Sequence, residues 1–221
     1  MPAPAFVEVT SVTADTDDSV SVAYSGLTEI LVGDLLFLFV VNSQIGGTVG
    51  TISTPGGWTS IHNPAAFRDG SSTLNGTMAL FYRIADGTEA GSVDVLRTGS
   101  TGGMGQDFLA CMAQFRGTRP IISTHQVNQE SAVSTITWNA VSFSAGEATA
   151  IGFEGQLSGT ADSPAGYTEA ISSGNQAHIS IDYKEGVASA PSVTASGGSS
   201  DGWATIHLVI FNALGRSFIV N

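Results

Sequence analysis

The chain has 221 residues, with 19 acidic and 7 basic side chains and a formal net charge of −12. So few cations, scattered without a basic run, exclude the counterion-releasing contacts of nucleic-acid binding and attachment to an anionic membrane face. Charged residues make up 12% of the chain, against about 25% in an average soluble domain; with 27 glycines this predicts a neutral-polar surface on a turn-rich β protein.

The opening segment Met1-Pro2-Ala3-Pro4-Ala5-Phe6 has neither the basic nor the apolar section of a secretory leader, which predicts synthesis in a cytosol. No segment carries a sustained i, i+3, i+4, i+7 apolar stripe. Short runs rich in Val, Ile, Thr, Phe and Tyr, separated by Gly, Ser, Asp and Pro, predict strands instead. In the first half these are 7–13, 19–24, 35–42, 59–62, 77–84, 92–97 and 108–115. In the second they are 121–126, 134–139, 147–156, 168–171, 177–183, 192–195 and 203–212.

Several of these strands alternate. Val20, Val22 and Tyr24 share one face. Ile179, Ile181 and Tyr183 point one way, while His178, Ser180, Asp182 and Lys184 point the other. That pattern predicts antiparallel sheets with one face on a core and one face wet. The run 35–41 does not alternate, so it predicts a strand covered on both faces, by a loop or another subunit; it is far too short to span a bilayer. The run 108–115 is similar and holds the single cysteine, Cys111. One cysteine excludes an intrachain disulfide, and its apolar setting predicts a buried thiol.

The same order of elements occurs twice. Gly33-Asp34 and Gly146-Glu147 each open an apolar strand; Pro55-Gly56-Gly57-Trp58-Thr59 and Pro164-Ala165-Gly166-Tyr167-Thr168 follow in turn. Strands at 78–84 and 178–184 come next, and apolar strands at 107–115 and 203–211 close the halves. A repeat fixes architecture before any single motif does. The expected fold is all-β, a jelly-roll-like antiparallel β-sandwich built from two pseudo-repeated halves, 1–119 and 120–213. These form a single body with a shared core and a C-terminal tail, 214–221. Two tightly packed sandwiches are the alternative.

Proline followed by glycine presets φ and then permits φ > 0 just before Trp58 and Tyr167. This places both aromatics at a strand start, as core plugs or as stacking platforms for a glycan. Trp138 and Trp203 are further rings of that kind. Gly- and Thr- or Ser-rich loops at 45–57, 99–105 and 196–202 are expected on the surface, carrying contacts. The apolar tail segment Phe218-Ile219-Val220 reads either as a docking arm or as an edge strand of its own domain. Trp58, Tyr167, Trp203, Phe218, Ile219 and Val220 are therefore the candidate partner or glycan contacts.

Chemistry-bearing patterns are sparse. Asp15, Asp17 and Asp18 form an acidic loop without the Gly and distal Glu of an EF-hand, and read as a solvated turn, with a weak calcium site as the alternative. Glu154, His178, Asp182 and His207 fall on one outward sheet face. Paired carboxylates on a sheet are the equipment of a glycosidase, but the set lacks aromatic subsites and reads as wet-face residues. Arg83 and Arg116 end apolar strands and are expected to pair with Asp86, Glu89 or Asp34. No Walker loop and no Gly-x-Ser-x-Gly elbow is present. No catalytic, cofactor-binding or metal-ligating residue is assigned, and the chain is expected not to be an enzyme.

The combination of Gly33-Asp34-Leu35-Leu36, Pro55–Thr59, Phe81-Tyr82-Arg83-Ile84-Ala85-Asp86-Gly87-Thr88-Glu89 and Phe115-Arg116-Gly117 resembles a duplicated β-sandwich module of tailed-phage virion proteins. Such modules also occur in some secreted bacterial proteins. Residues 164–168 and 203–211 resemble its second half, although Tyr183-Lys184-Glu185-Gly186 departs from the Tyr-Arg-x-Ala-Asp-Gly pattern. The resemblance implies a non-enzymatic structural protein of a bacteriophage virion. It would be a capsid decoration (cement) protein or a tail-associated module, made in the host cytoplasm, with the major capsid protein or other virion proteins as partners. Closed homo-oligomers suit such a part, a trimer among them. A carbohydrate-binding adhesion module of a tail or fibre is the alternative.

Overall fold

A computed structural model describes residues 2–15, 17–45, 50–68, 74–99, 107–117, 120–122, 126–130, 134–143, 147–157, 162–174, 177–196 and 202–212. Apart from one short 3-10 turn, Tyr24–Gly26, its elements are strands. The first half builds a six-stranded sheet from β1 (Ala5–Val9), β9 (Phe108–Arg116), β4 (Leu35–Ile45), β7 (Leu74–Ile84) and β6 (Thr59–Arg68), in that order, with β2 (Thr13–Asp15) also on β9. A smaller sheet of β3 (Ser19–Ala23), β8 (Ser92–Thr98) and β5 (Thr51–Ile52) lies over it.

The second half is threaded in the same order. Its six-stranded sheet runs β10 (Pro120–Ile122), β17 (Trp203–Asn212), β13 (Ala148–Gln156), β15 (His178–Val187), β14 (Thr168–Gly174), with β11 (Gln126–Glu130) also on β17. Among the described residues its small sheet has two strands, β12 (Thr135–Trp138) and β16 (Val193–Ser196). Every pairing is antiparallel. In each half the chain passes back and forth between a large and a small sheet, the interleaving of a jelly-roll sandwich.

The two large sheets pack face to face. Phe37, Phe39, Val41, Leu80 and Cys111 from the first half form one apolar cluster with Ile151, Phe153, Ile179, Ile181, Ile206 and Leu208 from the second. On its other face the first large sheet sets Leu36, Leu38, Val40, Phe81 and Met112 against Val20, Val22, Val93, Val95 and Ile52 of the small sheet. This explains the unbroken apolar run at 35–41: β4 is central in its sheet and buried on both faces by the chain itself. No other subunit is required to cover it.

Boundaries differ from the expected ones where the backbone bends. The stretch 7–13 is two strands, because Thr10 turns the chain while its N–H donates to the Met112 carbonyl (2.9 Å) and its hydroxyl accepts from the Met112 N–H (3.0 Å). The strand at 59–62 continues through a cis Asn63-Pro64 bond to Arg68, with register shifts on either side. It lies on the sheet edge, where a proline without an N–H is tolerated. Strand β5 lies inside the stretch expected to be loop. Gly57 (φ 79°) and Gly166 (φ 81°) take the left-handed conformation expected of the two turns.

Candidate functional site

The outer face of the second large sheet is where chemistry collects. In β13, Ile151 and Phe153 face the central core, so Gly152, Glu154 and Gln156 face outward. Register then assembles the neighbours. Glu154 lies opposite Ser180 of β15 and Thr205 of β17; Gly152 lies opposite Asp182 and His207; Gln156 lies opposite His178 and Trp203. Residues directly opposite share a face, so three strands present nine side-chain positions as one layer.

This layer is not wet, as its alternating sequence suggests. Glu154, Gln156, His178, Ser180, Asp182, Trp203, Thr205 and His207 are each 0–3% exposed. The small sheet β12–β16 covers them, with Trp138 and Ile136 turned inward, and the half-buried Tyr167 closes one side. A Cβ on Gly152 would collide with the Trp138 ring, so the indole rests on that glycine. A glycine inside an apolar strand is a sequence signal for such a close approach.

The polar groups bind one another. Gln156 donates through Nε2 to Glu154 Oε1 (2.7 Å), Ser180 donates to Asp182 Oδ2 (2.8 Å), and Ser163 donates to Asp182 Oδ1. The Asn139 carbonyl accepts from His207 Nδ1 (2.7 Å), so that nitrogen carries the proton and Nε2 accepts from the Tyr167 hydroxyl (2.9 Å). Ser172 lies 2.9 Å from His178 Nε2. The Tyr167 ring meets Trp138 edge-on at 5.2 Å. Within this layer His178 Nδ1 and the indole nitrogens of Trp138 and Trp203 have no hydrogen-bond partner among the described residues.

Burial sets the protonation. Desolvation pushes Glu154 up to about 8; the Gln156 amide pulls it down, and the charge of Asp182 adds to the rise. Desolvation also lifts Asp182 to about 6, against its two serine hydrogen bonds. It pushes His178 down to about 4 and lowers His207 despite the Asn139 carbonyl. At neutral pH Glu154 is therefore a neutral acid, and both histidines are uncharged.

The first half fills the equivalent layer mostly with hydrocarbon, and its buried polar groups include Asn42, Thr77, Gln114, Arg97 and, at the edge, Asp34. Arg97 is 4% exposed and donates to Asn42 Oδ1 (2.6 Å) and Asp18 Oδ1 (3.1 Å), while its guanidinium lies 5.2 Å from the Phe108 ring centroid. Asp18 of the acidic loop is thus an ion-pair partner. Among the described residues no group of three His, Cys, Asp or Glu is placed to hold a metal ion. The rim arginines pair as their positions suggest. Arg83 meets Asp86 (3.0 Å) and Glu89 (3.1 Å), and Arg116 grips the buried Asp34 through Nε and a second nitrogen, both at 2.9 Å.

The proposed contact residues are dispersed. Trp58 is 6% exposed and packed in the first sandwich, and Trp203 is 1% exposed beneath β12–β16, so neither ring is presented to solvent. Tyr167 directs its hydroxyl to His207, with Lys184 Nζ 6.0 Å from its ring. Phe218, Ile219 and Val220 lie outside the described residues. Sequence reading singled out Glu154, His178, Asp182 and His207 as one face, but it missed the cover over them and the parts played by Trp138, Ser163 and Gln156.

No family model, curated protein or solved structure matches the chain.

Proposed function

We propose that this chain is a non-enzymatic structural protein of a bacteriophage virion. In this reading it is a capsid decoration protein that stabilises the shell through symmetric protein–protein contacts. One observation carries the non-enzymatic part: the residues with catalytic potential, Glu154, Asp182, His178 and His207, are 0–2% exposed and bonded to one another or to the protein frame. Their burial among the described residues supports this reading. What the molecule offers outward is area on a frame of stacked sheets. The virion assignment rests on the resemblance of the Phe81–Glu89 and Pro55–Thr59 stretches. A low charge content and the Gly-, Thr- and Ser-rich stretches of the sequence fit assembly on a lattice, where many modest contacts add through avidity.

The test is co-sedimentation of the purified protein with capsids or expanded shells of the source particle, with a native mass of the free protein. The reading expects saturable binding at a copy number set by capsid symmetry. Absence of binding together with a stable monomer in solution would overturn it.

A further inference from the structure

The two halves share one threading but fill the space between large and small sheets differently. In the first half that space holds Leu36, Leu38, Val40, Phe81 and Met112; in the second it holds Glu154, Gln156, Ser180, Asp182, Thr205 and His207. The first-half filling is mostly apolar, with buried Asn42, Thr77, Gln114 and Arg97 among it. Unpartnered buried polar atoms occur in both layers, Asn42 Nδ2, Thr77 Oγ1 and Gln114 Oε1 in the first and the indole nitrogens of Trp138 and Trp203 and Nδ1 of His178 in the second. What the second alone holds is two buried carboxyl groups without a cationic partner among the described residues, a costly arrangement for charged groups. The cover is also built of short strands: β12 and β16 are four residues each and pair with one another, with the Asp162 N–H donating to the Ser196 carbonyl (3.0 Å) beside them.

Glu154 and Asp182 are diagonal neighbours on adjacent antiparallel strands, which places them about 7–8 Å apart along the sheet. Two carboxylates at that range under a dry cover repel. We propose that the β12–β16 sheet is a proton-held lid: it closes over the Glu154–Asp182 pair while one of the two carboxyls is protonated, and it lifts when that proton leaves. This inference stands apart from the virion reading.

The groups facing the pair come from every element around it. From β13 comes Gln156; from β15, His178 and the exposed Lys184; from β17, His207. From β14 comes Glu169, opposite Asp182 and raising its pKa. From the connecting turn come Tyr167, pushed up to about 12, and the exposed Asp162. Strands β12 and β16 contribute no titratable side chain, only the Trp138 indole, which acts on Glu154 to lower its pKa from outside hydrogen-bond geometry.

The sign follows from linkage. Glu154 has its closed-state pKa raised above the open-state value, so the stability it gives the closed lid is whole below about 4.5 and is lost as pH rises through about 8. Asp182 acts the same way, but only up to about 6. The lowered histidines act oppositely, and only below their open-state value of about 6.5. Between pH 6.5 and 8 Glu154 alone moves, and opening is favoured about tenfold per pH unit.

Hydrogen exchange measured by mass spectrometry over residues 135–138 and 193–196 tests this, after correction for the intrinsic pH dependence of exchange. The β3–β8 sheet is the internal reference. Protection of β12 and β16 should fall about tenfold per pH unit from 6.5 to 8 while β3 and β8 stay level, and Glu154→Gln should flatten the slope. Equal slopes in both small sheets of the unaltered protein would overturn the proposal, whether or not the variant folds. So would a slope that persists in Glu154→Gln.

Discussion

Phe153→Ala is the sharpest perturbation of the architecture. Phe153 belongs to the second half, is 0% exposed, and sits with its ring centroid 5.4 Å from Phe37 and 5.3 Å from Phe39 of the first half. Truncating a buried phenylalanine costs about 3–5 kcal/mol, of which each lost ring pair accounts for about 0.5–1.5 kcal/mol. For a chain of this size about 4 kcal/mol lowers Tm by about 8–16 °C. The assay is thermal unfolding by circular dichroism, with hydrogen exchange at 35–45 and at 203–212. Because the deleted ring belongs to a core shared by both large sheets, one transition should shift and both segments should lose protection together. A shift confined to 203–212, with 35–45 unmoved, would refute the shared-core reasoning and make the halves independent folding units.

Two further outcomes are expected. Asp34→Ala strips partners from the Arg116 guanidinium, the Gln114 amide (2.5 Å) and the Leu31 N–H (2.8 Å); urea unfolding at pH 7 should show a loss of about 2–4 kcal/mol. Desolvation pushes Asp34 up, but Arg116 and the other donors outweigh it and hold the carboxyl below its ordinary range. Its stabilisation is therefore present above the unfolded value of about 4 and lost as pH falls through the lower folded value, so the gap between wild type and Asp34→Ala should shrink at low pH. Cys111 is buried, and desolvation raises its thiol far above the ordinary range. An aromatic disulfide reagent at pH 8 should leave it untouched in the native protein and titrate it fully after denaturation; reaction in the native state would contradict its placement between the two large sheets.

Much of the scaffold is legible in the sequence, because strand character is local. Period-two alternation in Val20–Tyr24 and in 178–184, and proline–glycine turns before Trp58 and Tyr167, each act over a few residues, and the tertiary structure keeps them. The unbroken run 35–41 already demands two covers, although its residues do not say which. Alternation, however, reports only that two faces differ. It does not report whether the polar face meets water, and in β15 that face is sealed at His178, Ser180 and Asp182. The sealing depends on β12, which ends 40 residues before β15 begins (138 to 178), on β16, which begins 6 residues after β15 ends (187 to 193), and on a contact between Gly152 and Trp138 that no local pattern contains. Composition and periodicity thus determined an all-β, turn-rich chain with little charge. Only tertiary packing decided that Glu154 and Asp182 lie in a dry layer, because desolvation is set by what long-range contacts place over a group and not by its neighbours in sequence.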